Sequence, residues 1–233
     1  MTARISLPPD KGYFYDGFAS EFDAKMNMYD MLKRVRIVFD ELLPESIEGK
    51  LLLDAGCGTG WFSRRAHERG AHVVSLDVGV HLLNEVRKKT DSLCVAGTAM
   101  QLCFPDATFD IVVSSEMIEH TPDPRAAFSE LARVLKPGGV LVLTTPNRVW
   151  YPSVVIANIL KIRPYEGYEN WVHWSDLRRW STGASLTLLT MRGFHLFPFQ
   201  FAFLHSLIDT CDRFGDGWLG RLMINIALKG RKL

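Results

Sequence analysis

The sequence predicts an α/β fold built on a doubly wound, mostly parallel sheet, and three observations carry that expectation. Short apolar runs alternate with amphipathic stretches from Leu51 to Thr144. A glycine-rich turn, Asp54 to Gly60, joins one apolar run directly to a helical one. The turn Lys136-Pro137-Gly138-Gly139 separates the last helix–strand pair. Strands that alternate with helices at short spacing require right-handed crossovers, and these give a parallel sheet.

Each element has its own warrant. Met28, Met31, Leu32, Val35, Val38, Phe39 and Leu42 recur at helical spacing, which predicts an amphipathic helix closed by Pro44 and Gly49. Leu51 to Leu53 reads as a buried strand and Trp61 to Arg69 as a helix closed by Gly70. Val73 to Leu76 is a second strand and His81 to Lys89 a second helix. Ile111 to Val113, Pro124 to Leu135 and Val140 to Thr144 read as strand, helix and strand. Past Asn147 the texture changes. Trp150 to Trp180 holds four of the six tryptophans, broken by Pro152, Pro164 and Gly167, and predicts an aromatic cap after the fifth strand, with Tyr151, Tyr165 and Tyr168 among its walls. A helix is expected from Ser175 to Arg192, stopped by Gly193. Phe197, Phe199, Phe201 and Phe203 alternate, which predicts a strand, and this aromatic cluster reads equally as core or as substrate wall. Ile224 to Leu228 is a last strand.

Composition narrows the function. The 233 residues carry 27 Lys and Arg against 26 Asp and Glu, a net charge of +1, so no bulk basic surface exists for a nucleic-acid partner. At 47% hydrophobic and 23% charged, the chain has the balance of a globular protein. Cys57, Cys94, Cys103 and Cys211 form no C-x-x-C pair and no metal-ligand spacing. They read as reduced thiols, so a cytoplasmic location and no metal site are expected. Met1 to Asp10 lacks the apolar stretch of a signal peptide, and no apolar run reaches the roughly 18 residues needed to cross a bilayer.

The sharpest feature is Leu51-Leu52-Leu53-Asp54-Ala55-Gly56-Cys57-Gly58-Thr59-Gly60. Gly56 and Gly58 permit a tight turn and let a ligand lie against bare backbone. The helix that follows offers unpaired N–H groups and a positive dipole end. A dinucleotide site expects G-x-G-x-x-G; here the third glycine comes one place early, at Gly60, with Trp61 after it. Asp54 beside the loop suits a ligand carrying an ammonium group and suits a pyrophosphate poorly. Asp77 ends the second strand, where an acid accepts the hydroxyls of an adenosine ribose.

These residues resemble the class I S-adenosylmethionine-dependent methyltransferases of the small-molecule branch. Asp54 to Gly60 is similar to that family's first motif, and Val74-Ser75-Leu76-Asp77 to its second-strand acid. Phe104-Pro105-Asp106-Ala107-Thr108-Phe109-Asp110 with Ser115-Glu116-Met117-Ile118-Glu119-His120 is similar to its fourth-strand block. Leu131 to Gly139 is similar to its approach to strand five. Thr145-Pro146-Asn147-Arg148 with Trp150 resembles the strand-five exit of ubiquinone-biosynthesis O-methyltransferases. The resemblance implies a Rossmann-like methyltransferase fold in one domain over 1–233. It divides into an N-terminal helical segment (1–49), a cofactor-binding core (50–149), a cap and acceptor segment (150–192) and C-terminal strands completing the sheet (193–233). It implies S-adenosylmethionine as cofactor and S-adenosylhomocysteine as product. The methionyl part would lie on the Gly56–Gly60 loop with Asp54 beside it, Asp77 would hold the ribose, and Val78 would pack on the adenine. Thr98, Ala99 and Met100 would flank the adenine edge, with Thr98 standing where the family more often has Asp or Asn. Ser115 and Met117 would lie near the sulfonium.

A phenol or alcohol acceptor needs a base, and histidine suits that role near neutral pH. His120, after strand four, and His173, in the Trp-rich cap, are the candidates; for both the alternative is a structural hydrogen bond beside the pocket. His67, His72 and His81 read as surface or packing residues, and His195 and His205 as either. No D/N/S-P-P-aromatic block follows strand four, which sets nucleic-acid bases aside as acceptors, and no carboxylate cluster there suggests a metal-dependent catechol enzyme. After Val149 the chain carries ten Lys and Arg against six Asp and Glu. With Val149 to Leu160, Phe194 to Phe203 and the basic tail Lys229-Gly230-Arg231-Lys232, this points to a small lipophilic acceptor or a weak contact with a membrane surface. The expected function is metal-independent methyl transfer, with oxygen favoured over nitrogen or carbon. The alternative is a non-catalytic cofactor-binding partner of the same fold, with a dehydrogenase as a distant third. Nothing in the sequence sets the oligomeric state.

Overall fold

The computed structural model describes residues 11, 13–161 and 167–233, so Met1 to Asp10 and the cap residues Pro164 and Tyr165 lie outside the described residues. Seven strands form one sheet in the order β3-β2-β1-β4-β5-β7-β6. They are β1 (Leu51–Ala55), β2 (His72–Asp77), β3 (Leu93–Ala96), β4 (Phe109–Ser115), β5 (Leu135–Pro146), β6 (Leu186–Phe194) and β7 (Asn225–Lys232). The first five are parallel, while β7 runs antiparallel to both β5 and β6. The helices are α1 (Phe22–Lys25), α2 (Met28–Arg36), α3 (Trp61–Glu68), α4 (Val80–Arg87), α5 (Pro124–Arg133), α6 (Tyr151–Ile159), α7 (Trp174–Gly183) and α8 (His205–Cys211).

Both faces of the sheet are covered, which is why its strands read as continuous apolar runs. Along β1, Leu52 joins the cluster with Met31, Phe39, Phe62 and Ala66 on the α2/α3 side. Its neighbours Leu53 and Ala55 join Phe128, Leu131 and Leu177 on the α5/α7 side. Asp123 begins α5 by accepting the N–H groups of Arg125 and Ala126, and Pro124 occupies a first-turn position that needs no donor. Fully buried Phe128 anchors that helix to the sheet, a burial of roughly 1.5–3 kcal/mol.

The doubly wound sheet appears as the alternation predicts, but five elements differ from expectation. The edge strand β3 is a difference from expectation: its apolar run Leu93 to Ala96 is only four residues long, and both of its ends are exposed. The helix expected from Met28 to Leu42 is α2 followed by a wider π-helical turn, Ile37–Leu42. Lys136 to Gly139 is not a free turn: Pro137, with no N–H, and Gly138, at φ +77°, form a bulge in β5 between the pairs Phe109–Leu135 and Ile111–Val140. The helix expected over Ser175 to Arg192 stops at Gly183, and Ser185, at φ +57°, turns the chain into β6. Leu186 to Met191 then pairs with β7, so tertiary pairing overrides the helical pattern. Residues 186–192 therefore belong to the sheet, and only the earlier part of the expected cap is free to lie over it. Finally, Phe197 to Phe203 is not a strand. His195, at φ +60°, ends the extended chain after β6, no neighbour is left to pair with, and Phe203 is 82% exposed.

Both connections that leave the outer sheet at the carboxyl end of β5 meet there. The Asn147 side chain donates to the Arg221 and Met223 carbonyls and accepts from the Val149 N–H, stitching the β5 exit to the β6–β7 connection.

Candidate active site

The chain turns one way from β1 to β2 and the other way from β4 to β5, and a crevice opens where the order reverses. A cavity of about 1030 Å³ lies there, at the large end of ligand pockets, roughly 300–1,000 Å³. Its floor is the loop after β1. Gly56, at φ +76°, passes so close to Met117 that a side chain at Gly56 would overlap Met117 Cβ and Cγ. Gly58, at φ +52°, faces open space with Phe22 the nearest group. The N-cap of α3, Gly60, has no side chain to offer; Asp54 takes the Ser63 N–H, and the remaining first-turn N–H groups carry the positive end of the helix dipole.

The acid after β2 is held by backbone. Asp77 Oδ2 accepts the Gly58 N–H at 3.0 Å and Oδ1 the Gly79 N–H at 2.9 Å. Burial raises its pKa, and those two N–H groups oppose the rise. The Val78 N–H adds to them, and the carboxylate, with four lone-pair sites, lies on the cavity wall with acceptor capacity remaining.

The sequence-named residues separate cleanly. Gly56, Gly58, Asp77, Val78, Thr98, Ala99, Met100, Ser115, Met117 and His120 line the cavity together. Asp54, Gly60 and His173 do not. Asp54 sits beneath the loop, where its carboxyl accepts from Ser63 Oγ at 2.5 Å, at the head of a hydroxyl chain Ser63–Ser75–Ser92. A direct contact with a ligand ammonium is thus not available to it. Gly60, at φ +87°, is pressed against Val86 of α4. His173 is exposed at the start of α7, its N–H donating to Asp176 Oδ2, and is not on the cavity wall. Thr98 Oγ1 accepts the Met100 N–H, leaving its hydrogen to donate.

His120 is tethered. Its Nδ1 lies 2.9 Å from the Tyr168 carbonyl, which can only accept, so Nδ1 carries the hydrogen. Nε2 then faces the Tyr15 hydroxyl at 3.5 Å and Glu119 Oε1 at 3.8 Å.

Two groups were missed by sequence reading. The aromatic wall comes from Phe14, Tyr15, Phe18 and Phe22 in the N-terminal segment, whereas Tyr168 is the sole described residue of the expected cap on the wall. Two carboxylates fasten this segment across the loop. Asp16 accepts the His81 and Leu82 N–H groups at the start of α4. Asp23 accepts from Thr59 Oγ1 and Trp61 Nε1 and pairs with Lys89. Burial pushes Asp23 up, but Lys89, Thr59 and Trp61 together hold its pKa below the ordinary value. The second group is charged and buried: Arg34 on α2 pairs with Asp30, donates to Ser115 Oγ at 3.1 Å and reaches the cavity beside Glu116. On an amphipathic helix such charges read as a solvated face; the β6–β7 connection covers them through Asp209 and Asp212 on neighbouring Lys33.

Comparison with known proteins fits this crevice. Residues 53–143 match the family model described as a methyltransferase domain. The ubiquinone biosynthesis O-methyltransferase of Idiomarina loihiensis is 31% identical over 211 residues, covering 84% of this chain and 86% of that protein. The chain belongs to the class I S-adenosylmethionine-dependent methyltransferases. A second relative, the malonyl-[acyl-carrier protein] O-methyltransferase of Serratia marcescens, is 40% identical over 131 residues, 54% of this chain and 51% of that protein. A methyltransferase structure from Thermotoga maritima superposes with a TM-score of 0.72 at 18% identity, covering 96% of this chain and all of that one, and agrees in fold.

This methyltransferase is thus an enzyme whose cofactor is S-adenosylmethionine, and the dehydrogenase and non-catalytic alternatives fall away. The cavity suits that cofactor: bare backbone at Gly58, a buried acid at Asp77 and, among the described residues, no phosphate-sized cluster of cations on the wall. Among the described residues no group of three His, Cys, Asp or Glu is placed to hold a metal ion, and no helix is long and apolar enough to cross a membrane.

The buried Asp54 gives the methyltransferase a pH signature. Burial raises its pKa to about 7, against the Ser63 hydrogen bond, while in the unfolded chain it is near 3.9. The folded state therefore holds the extra proton between about pH 4 and pH 7, and stability falls as pH rises through that window. Three units correspond to on the order of 4 kcal/mol. Denaturant titrations at acidic and alkaline pH should show a shallower pH slope for Asp54→Asn than for the wild type; equal slopes would refute the assignment.

Proposed function

We propose that this methyltransferase transfers its methyl group to a hydroxyl of a small lipophilic acceptor. The observation that carries the reading is the inner end of the cavity, where Arg34, Ser115, Glu116 and His120 stand together behind an aromatic wall. In this reading the Gly56–Gly58 backbone holds the methionyl part of the cofactor and Asp77 the ribose hydroxyls. Val78, Thr98, Ala99 and Met100 enclose the adenine, and Ser115 and Met117 border the reacting centre. When bound, S-adenosylmethionine supplies a methyl group on a sulfonium, whose transfer leaves neutral S-adenosylhomocysteine.

The chain's own part is alignment and exclusion of water. Fixing donor and acceptor in line contributes roughly 7–11 kcal/mol toward such a displacement. The Phe14, Tyr15, Phe18 and Phe22 rings keep the site dry, where a sulfonium is poorly solvated and charge dispersal is favoured. The polar inner end presents groups that hydrogen-bond a hydroxyl. Oxygen transfer also agrees with the names of both relatives, whose substrates differ and leave the acceptor to experiment. A lipophilic acceptor is further supported by α6, where Ile156, Ile159 and Leu160 are exposed beside Lys161 at the carboxyl end of β5. Such a surface favours weak contact with an anionic bilayer.

The test is transfer of labelled methyl from S-adenosylmethionine to a panel of catechols with and without a prenyl tail, set against aliphatic amines and free carboxylic acids. Preferred labelling of the tailed catechols is expected. Labelling confined to amines or carboxylates would overturn the reading.

A further inference from the structure

Glu116 is the first residue beyond β4, and its backbone sits at φ +51°. A side-chain-bearing residue in the left-handed region is rare, and such strain gathers at functional sites. Glu116 lines the cavity. Its Oε2 accepts from Asn225 Nδ2 at 3.0 Å, whereas Oε1 is buried and has no hydrogen-bond partner among the described residues. A buried oxygen left without a partner calls for one.

The surroundings fix which way the Asn225 amide points. His195, completely buried after β6, places Nδ1 3.4 Å from Asn225 Oδ1 and 3.5 Å from Asp30 Oδ1. Both oxygens accept, so Nδ1 carries the hydrogen and Asn225 must turn its NH₂ to Glu116. Asp30 Oδ2 takes Arg34, and Arg34 donates to Ser115 Oγ, the neighbour of Glu116. Three distant stretches of chain thus close a ring of side chains around one carboxylate at the cavity wall and leave its Oε1 buried there without a hydrogen-bond partner among the described residues.

We propose that Glu116 is the catalytic residue that binds the acceptor hydroxyl and removes its proton, and that Asn225, oriented by His195, is its positioning residue. The assignment rests on the oxygen-transfer reading above. The acceptor O–H bond breaks, its electron pair stays on oxygen and the proton goes to Glu116 Oε1. That oxygen pair forms the new bond to the methyl carbon while the pair of the methyl–sulfur bond remains on sulfur. The carboxylate and the sulfonium are neutralised together, so charge balances.

Burial raises Glu116 to about 7; Arg34 pulls it down, Asp30 pushes it up, and the Thr144 hydroxyl and the Asn225 amide pull it down further. Glu119, His120 and His195 are the other titratable groups around it, and Glu119 is itself pushed well above its usual range by burial and by Glu116. The proton-accepting form is therefore gained as pH rises through about 7.

The decisive measurement compares catechol with 4-nitrocatechol as acceptors, using labelled S-adenosylmethionine. Glu116→Gln should lower kcat for catechol by about 100-fold or more. It should cost much less with 4-nitrocatechol, whose hydroxyl ionises unaided, and leave S-adenosylhomocysteine affinity near wild type. Equal losses for both phenols, or near-wild-type turnover of catechol, would overturn the base assignment. Turnover by the wild type alone decides the acceptor class, so a failure of that reading is seen separately. A second readout needs no turnover. Infrared difference spectra of wild type against Glu116→Gln, with S-adenosylhomocysteine bound, should show the Glu116 carboxyl titrating near neutrality, with the midpoint moved upward in Asn225→Ala. A midpoint in the ordinary carboxylate range, or one unmoved by Asn225→Ala, would refute the ring of support.

Discussion

Replacing Asp77 by alanine is expected to weaken S-adenosylhomocysteine binding by at least about 3 kcal/mol, more than a hundredfold, from two charge-assisted hydrogen bonds of about 1.5–3 kcal/mol each. The structure adds a second cost. Asp77 takes the N–H groups of Gly58 and Gly79, one on each oxygen, so its removal also releases the glycine loop from the start of α4. Asp77→Asn is therefore no neutral control, since one of those N–H groups would face an NH₂. Its affinity should fall between wild type and Asp77→Ala. Calorimetry with S-adenosylhomocysteine reads the effect. Unchanged affinity in Asp77→Ala, together with a lowered melting temperature, would reduce this acid to a brace for the loop.

The other large effect falls far from the cofactor. Gly193 at the end of β6, Gly215 and Gly220 meet backbone to backbone, with the Gly193 N–H donating to the Gly215 carbonyl at 2.9 Å. A methyl group on Gly220 would overlap the Gly215 carbonyl, and one on Gly193 would overlap the Gly220 carbonyl. Main chain on both sides leaves no side chain to swing aside. Overpacking usually costs about 1–3 kcal/mol where side chains can adjust. Gly220→Ala should lie above that range and loosen the β6–β7 connection that covers Lys33 and Arg34. Denaturant unfolding should register a loss of about 3 kcal/mol or more, and amide exchange should quicken over 195–224. A variant with wild-type stability would mean that this three-glycine contact does not hold the connection.

Much of the core was legible before any coordinate. The β1 loop, the acid at the end of β2 and the block after β4 are local patterns, because a tight turn needs glycine and a buried parallel strand needs an apolar run. Each such pattern is local, so Gly56, Gly58 and Asp77 could be picked out from the residues, while the resemblance to the methyltransferase family brought Ser115 and Met117 to the same site. His173 could not be judged that way. Its neighbours in sequence are aromatic, but the docking of α7 on the sheet decides where it lies.

The sequence by itself determined a parallel doubly wound core, a glycine loop and an acid at the end of the second strand, and its resemblance to a known family named the cofactor. Tertiary structure alone decided three things. It turned Leu186 to Phe194 into a strand, because β7 offers an open edge and hydrogen bonds across it outweigh a helical spacing of side chains. It brought the N-terminal aromatics over the loop through Asp16 and Asp23, contacts that span some 36 to 66 positions and leave no local period. And it buried Asp30, Arg34, Glu116 and His195 as one group. Burial of a charge depends on what covers it, and here the cover arrives from the other end of the chain, beyond the reach of any pattern in the residues themselves.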